Sequence, residues 1–240
     1  MKKIIVLTGG FGSGKTELSL NLALSAAKEG KTELIDLDMV NTYFRLSERR
    51  ELIKSAEIRL VSPNYAMTNI ESLSLPAEVS SAFDMDWHTV IFDAGGDTVG
   101  ATALGRFNPD FMRLLPEQLE VYHVINVRRP LASTAEKIIN LTKDLERNSR
   151  LKITGFINNT NLQNETTARE LLDGYEILKE VTEKTAIPVA YTSGRKPILD
   201  EFLSMGLDEK YIGGTIELTT YMHRDWESFI EAKRAKPVSN

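Results

Sequence analysis

Ile4-Ile5-Val6-Leu7-Thr8-Gly9-Gly10-Phe11-Gly12-Ser13-Gly14-Lys15-Thr16 is the stretch that decides the fold of this 240-residue chain. Ile4 to Leu7 are apolar on both alternating faces, the pattern of a strand covered by helices on both sides. Gly9 to Thr16 follows at once and satisfies G-x-x-x-x-G-K-[ST]. An amphipathic stretch, Glu17–Lys28, comes next, with Leu18, Leu22, Leu24 and Ala26 expected on its buried face. Strand, glycine-rich turn and helix in that order build a phosphate cradle. The glycines let the backbone fold tightly enough for its N–H groups to point inward at phosphate oxygens. The helix beneath adds its positive dipole end. Lys15 supplies a point charge for the β and γ phosphates, and the Thr16 hydroxyl is placed to ligate Mg²⁺. Gly10, Phe11, Gly12, Ser13, Gly14, Lys15, Thr16 and Glu17 are therefore the expected contacts of a nucleoside triphosphate.

Outward from this stretch, short β-branched runs alternate with amphipathic ones. Strands are expected at Ile4–Thr8, Glu33–Leu37, Ile58–Val61, Val90–Asp93, Val121–Val127, Ile153–Asn158 and Val189–Thr192. Helical patterns lie between them at Glu17–Lys28, Ser47–Ser55, Pro76–Phe83, Leu131–Asn148, Thr166–Lys184 and Ile198–Met205. Such alternation predicts an α/β fold: a mostly parallel, doubly wound sheet with helices on both faces. No repeat or linker divides the chain, so residues 1–240 read as one domain. Ser62–Leu75 reads as a long surface loop. Residues 217–236 read as a C-terminal helix with Met222, Trp226, Phe229 and Ile230 along one side. Its Asp225, Glu227 and Glu231 dilute any attraction to anionic lipid, which argues against a membrane anchor.

A triphosphate site needs carboxylates from other strand ends to hold the metal and position water. Two groups qualify. In Leu34-Ile35-Asp36-Leu37-Asp38, alternation puts both aspartates on one side, and either can instead cap a turn. In Val90-Ile91-Phe92-Asp93-Ala94-Gly95-Gly96-Asp97, an Asp ends an apolar run, as in a Walker B strand. Asp93 would reach Mg²⁺ directly or through water, and the two glycines would let the loop approach the γ-phosphate. Thr16, Asp38 and Asp93 form the candidate metal set.

Composition narrows the rest. With no cysteine, disulfides, thiolate-held iron–sulfur clusters, zinc ribbons and thiol nucleophiles are excluded. The 29 Lys and Arg against 34 Asp and Glu leave a net charge of −5, which argues against a nucleic-acid coat. His88, His123 and His223 show no metal-ligand spacing. Met1-Lys2-Lys3 precedes an apolar run too short for a signal peptide or a membrane span, so the cytoplasm is the expected compartment.

These motifs resemble the MinD/ParA/CobQ class of P-loop ATPases, over roughly Lys2 to Leu203. Asp93-Ala94-Gly95-Gly96-Asp97 is especially similar to the Asp-x-x-Gly-Asp switch of the nitrogenase iron proteins. The resemblance implies ATP and Mg²⁺ as cofactors and a nucleotide-dependent homodimer. It implies catalytic roles for Lys15, for Asp38 as the switch I carboxylate near the attacking water, and for Asp97 in switch II. In Gly155-Phe156-Ile157-Asn158-Asn159 it implies that Asn159 reads the adenine edge, and it makes Ile187 to Arg195 the next strand and a base-contacting loop. Two departures stand out. Where partition and positioning members carry a second P-loop lysine, this chain has Gly10, for which Arg45, Arg106, Arg128 or Arg195 could substitute. The cysteines that hold a cluster or nickel in other members are missing.

Three functions fit. The first is an ATPase switch that alters a dimer or an unidentified protein partner's interface, with Tyr43, Phe44 and Arg45 as a nucleotide-responsive surface. The second is a small-molecule kinase or ATP-dependent metabolic enzyme of the CobQ or dethiobiotin synthetase type, with acceptor residues in Ser62–Leu75. The third is a nucleotide-gated binding module without catalysis. The Asp-x-x-Gly-Asp switch and the lack of a separate substrate domain favour the first.

Overall fold

A computed structural model describes residues 2–38, 46–62, 77–84, 86–96 and 98–222. The expectations placed on Tyr43 to Arg45, on most of Ser62–Leu75, on Asp97 and on His223 fall outside them. Eight parallel strands form one sheet: β1 (Lys3–Thr8), β2 (Thr32–Asp36), β3 (Arg59–Val61), β4 (Thr89–Asp93), β5 (Leu119–Ile125), β6 (Gly155–Asn158), β7 (Val189–Gly194) and β8 (Gly214–Glu217). Their order is β3-β2-β4-β1-β5-β6-β7-β8. After β1 the chain passes out through β2 to β3, returns to insert β4 between β2 and β1, and then builds outward on the other side from β5 to β8. This reversal opens a crevice at the C-terminal end of β1, where open α/β sheets hold their ligands.

Strand side chains separate by parity, as a two-faced sheet requires. Ile4 and Val6 join Val90, Phe92, Val121 and Ile125 in one core, under α3 (Ser81–Asp84), α4 (Thr98–Gly105), α5 (Asn108–Phe111), α6 (Ala135–Ser149) and α7 (Ala168–Thr185). Ile5 and Leu7 join Leu34, Ile91 and Val124 in the other, under α1 (Lys15–Ala26) and α2 (Arg50–Ser55). Each fully buried aliphatic side chain contributes about 1.5–3 kcal/mol, so a run apolar on both faces is stable only where both faces are covered. A third cluster packs α7 on α8 (Lys196–Leu203). On α6 the buried residues Ala135, Ile138, Thr142, Leu145 and Ser149 recur every three or four positions, and Thr134 caps its start. No described helix is long and apolar enough to cross a membrane.

Three details depart from expectation. The fully buried apolar residues of α1 are Leu18, Leu20 and Ala23, whereas Leu22 and Leu24 are half-buried. An eighth strand, Gly214–Glu217, adds to β7; it is mostly exposed and lacks the apolar run that would reveal it. The helix expected from residue 217 does not begin there. Glu217 ends β8, and residues 218–222 continue as an extended strap across α1.

The strap is held by side chains rather than by a ladder. Asn21 donates to the Thr219 carbonyl at 2.9 Å and accepts from the Thr219 N–H at 2.8 Å. Glu17 accepts from the N–H groups of Tyr221 at 2.7 Å and Met222 at 3.0 Å, and Arg49 donates to the Tyr221 carbonyl at 2.6 Å. With those backbone groups bound to α1, no helical turn forms at this point. The strap also covers α1 on a second side, which explains the wider buried surface of that helix. Residues 223–236 of the expected helix lie outside the described residues.

Candidate functional site

Every strand from β1 to β7 ends at the same edge, and five of them (β1, β2, β5, β6 and β7) deliver a side chain or loop to one cavity there. Among its walls are Phe11, Gly12, Gly14, Lys15, Thr16, Glu17 and Asp38 on the phosphate side, and Asn159, Asn161, Gln163, Asn164, Ser193 and Arg195 on the other. Leu218, Thr220 and Met222 of the strap close a third side.

The loop after β1 has the shape its glycines permit. Gly9, Gly12 and Gly14 take φ of +143°, +73° and +87°, values that L side chains rarely adopt. Gly14 then caps α1, with Lys15 as the first helical residue. The Lys15 ammonium is almost wholly buried and donates to the carbonyls of Gly9 at 2.8 Å and Gly10 at 3.2 Å. The lysine thus holds its own loop closed. Below the loop, His123 is fully buried and its imidazole pKa is pushed down to about 3, by burial first and the Lys15 charge second. The Thr142 hydroxyl donates to the Ile138 carbonyl at 2.8 Å, so it receives the His123 Nδ1–H at 2.9 Å. A neutral ring therefore underlies the cradle.

The metal candidates come together. Leu7 of β1 and Asp36 of β2 both stand level with Asp93 of β4 in the sheet register. Asp93 is 1% exposed, and neither carboxylate oxygen has a hydrogen bond of good geometry among the described residues. Burial pushes its pKa up to about 6; Lys15 and the nearby Thr16 hydroxyl pull it down, and Asp38 adds a smaller upward push. A buried, unpartnered carboxylate beside a threonine hydroxyl and a second aspartate is a donor set that suits a hard divalent cation such as Mg²⁺. Asp36 and Asp38 divide the roles left open for them. The Asp36 carboxylate accepts the Asp38 N–H at 3.0 Å and shapes the turn, while Asp38 lines the cavity. No group of three or more His, Asp or Glu that could hold a metal occurs among the described residues.

On the opposite wall, Asn159 is tied to the cradle. Its amide donates to the Ser13 carbonyl at 2.7 Å and accepts from the Ser193 hydroxyl at 2.8 Å. It thereby links the ends of β6 and β7 to the P-loop, and its packing against Gly14 leaves no room there for a Cβ. Asn158 turns away and donates to the Leu171 carbonyl at 3.0 Å. Gln163 and Asn164 line the same wall, and their side-chain amides make no hydrogen bond among the described residues. Glu17, expected on phosphate, spends its carboxylate on the strap; burial raises its pKa, and the Tyr221 and Met222 N–H groups offset part of that. Glu17→Ala is expected to cost about 2 kcal/mol and to speed amide exchange at Tyr221 and Met222 more than tenfold, as read by hydrogen-exchange mass spectrometry. Unchanged exchange would show that the strap holds without that carboxylate.

Of the arginines named to replace a second lysine, Arg128 is taken up by Glu170 at 3.0 Å and Asp173 at 2.5 Å. Arg106 is exposed and does not line the cavity, and Arg45 lies outside the described residues. Arg195 does line it, and donates to the Asn164 carbonyl at 3.3 Å. Ser193 falls within the Ile187 to Arg195 stretch expected beside the base, whereas sequence reading missed Arg129 and the strap, neither of which carries a local signal.

The model of the CobQ/CobB/MinD/ParA nucleotide binding domain matches residues 4–198, from the first strand to the helix after β7. The chain belongs to this family. The matched span includes the loop after β1, Asp38, Asp93 and Asn159. Solved structures with the same fold include the cell division protein FtsY of Thermotoga maritima, at 16% identity and a TM-score of 0.55, over 80% of this chain and 62% of that one. FtsY of Mycoplasma mycoides is similar at 17% identity and 0.54, over 80% and 60%. The signal recognition particle 54 kDa protein of Aeropyrum pernix, solved in complex with GDP, follows at 16% and 0.51, over 97% and 49%. The chain thus spans between about half and three-fifths of the length of these proteins. No curated protein matches it at a significant level.

Proposed function

We propose that the chain is a Mg²⁺-dependent ATPase that hydrolyses ATP slowly and changes a homodimer or protein-partner interface with its nucleotide state. The observation that carries this reading is Asp93: buried, without a hydrogen bond of good geometry among the described residues, and beside the Thr16 hydroxyl of the P-loop. Thr16 and Asp93, with Asp38, would hold Mg²⁺, which supplies charge neutralisation on the phosphates. Lys15, which donates to the Gly9 and Gly10 carbonyls, would place its ammonium on the β and γ phosphates, so a bound nucleotide takes over the role of those carbonyls. Asp38 accepts a hydrogen bond from the attacking water; the water oxygen bonds to the γ-phosphorus as the bond to the bridging oxygen of ADP breaks, and the water's proton passes to an oxygen of the released phosphate, with ADP leaving as the anion. Asp97 is the candidate relay from this step to the second switch.

The base side supports adenine over guanine. Guanine presents adjacent N–H donors that a carboxylate accepts, whereas adenine presents a donor beside an acceptor, which an amide matches. The wall of Asn161, Gln163 and Asn164 carries amides and no carboxylate. Asn159 steadies the cradle, and Gln163 and Asn164 are the amides available to the base. Turnover of ATP and GTP, with molar mass by light scattering with and without Mg-ATP, tests the reading. The expected result is an ATP-dependent dimer that Lys15→Ala abolishes and Asp38→Ala traps. A permanent monomer that consumes ATP only when a metabolite is added would overturn it in favour of a small-molecule kinase.

A further inference from the structure

The cavity contains one cation whose setting differs from that of its neighbours. Arg129 follows β5 in a turn closed by its own N–H on the Asn126 carbonyl at 3.0 Å. Its carbonyl is taken by the Ala132 N–H at 2.9 Å, and Pro130 fixes the next φ. Asn126 is fully buried: it donates to the Asn161 carbonyl at 3.0 Å and accepts from the N–H groups of Arg128 at 3.0 Å and Asn161 at 3.3 Å. The backbone that carries Arg129 is thus locked to the base-side loop.

The side chain is not locked in the same way. Arg129 Nε donates to the Gly12 carbonyl at 2.9 Å in an exposed contact, and the residue, half-buried as a whole, lines the same cavity as Lys15, Thr16 and Asp38. Gly12 makes this approach possible, since a Cβ there would stand 3.1 Å from Nε. Among the described residues no carboxylate pairs with Arg129. Next to it, Arg128 is held by two, and Lys196 by Asp200 at 2.9 Å. A planar fork of N–H donors with one bond to a neutral carbonyl can be drawn away by an anion at modest cost. A triphosphate in the cradle is that anion.

We propose that Arg129 is a catalytic arginine supplied in cis, which swings from the Gly12 carbonyl onto the phosphate oxygens and stabilises the charge that builds during γ-phosphoryl transfer. The assignment rests on the nucleotide site described under Proposed function. It adds the second positive group of the reaction, from a position where the chain's own fold places it and without a partner subunit.

Arg129→Gln, which keeps a neutral donor, is expected to lower kcat for Mg-ATP by about 100-fold or more. The Kd for Mg-ADP should shift less than threefold. Capture of ADP with aluminium fluoride, a mimic of the transferring phosphoryl group, should be lost, and millimolar guanidinium should restore part of the turnover of Arg129→Ala. A purely structural clamp on Gly12 predicts the opposite: weaker Mg-ADP binding, a lower melting temperature, unchanged kcat and no rescue. That outcome overturns the assignment and leaves the ATPase reading standing. If the wild type binds no nucleotide at all, both fall together.

Discussion

Asp93→Asn is expected to remove a stability penalty of about 3 kcal/mol that the metal-free protein carries at neutral pH. Burial lifts the Asp93 pKa from 3.8 to about 6, so the folded chain holds this proton more tightly than the unfolded chain does. A raised folded pKa contributes stability that is fully present below 3.8 and is lost as pH rises through about 6. Urea denaturation of both proteins in chelator, across that window, should show the difference between them moving in favour of the variant by roughly that amount. Adding Mg²⁺ at neutral pH should stabilise the wild type and leave the variant unchanged. Parallel pH profiles would mean that the carboxylate ionises in the fold without cost, and the argument for a cation at Asp93 would lose its basis.

Gly96→Ala is expected to abolish nucleotide binding at least 100-fold while the chain stays folded. Gly96 follows the Walker B strand, and its Cα faces the P-loop backbone so closely that an added Cβ would overlap the Gly9 carbonyl oxygen and come within 2.7 Å of its carbon. Backbone atoms have no rotamer through which to escape, so one of the two loops must move. Movement of the cradle misdirects the N–H groups that bind phosphate, and small misplacements at a reacting centre cost about 100-fold. Overpacking of this kind costs about 1–3 kcal/mol of stability, which a domain of this size survives. Gly206→Ala is the control for lost stability alone: its φ of +68° strains an L residue, yet no heavy atom lies within 4 Å and the position does not line the cavity. Calorimetric titration with Mg-ATP should separate the two variants; equal affinities would show that the loop after β4 yields freely.

What the sequence revealed and what it hid divide along contact range. The P-loop, the apolar strands and Asp93 are local patterns, in which spacing over a few residues settles direction and chemistry. The amphipathic helices α6 and α7 also declare themselves, because one face of each meets a continuous apolar sheet. Glu17 could not be read the same way. Its position after Thr16 suggests phosphate, yet its carboxylate serves N–H groups 204 and 205 residues away. The family resemblance points to Asn159 as a reader of the base, but its bonds to Ser13 and Ser193 depend on two other strands ending beside it and could not be read locally. Arg129 and Arg128 are adjacent in sequence and alike in type. The turn at Asn126 sends one to carboxylates on α7 and the other to the P-loop, a choice that no periodicity encodes.

The central claim is that the cradle from Gly9 to Thr16 binds a nucleoside triphosphate through Lys15 with Mg²⁺. Isothermal titration of the wild type and of Lys15→Ala with ATP, each with and without Mg²⁺, tests it most directly. The account predicts binding by the wild type at about micromolar Kd that tightens with Mg²⁺ and falls at least 100-fold in Lys15→Ala. Absence of ATP binding by the wild type at millimolar concentration, or binding indifferent to Lys15, would contradict it.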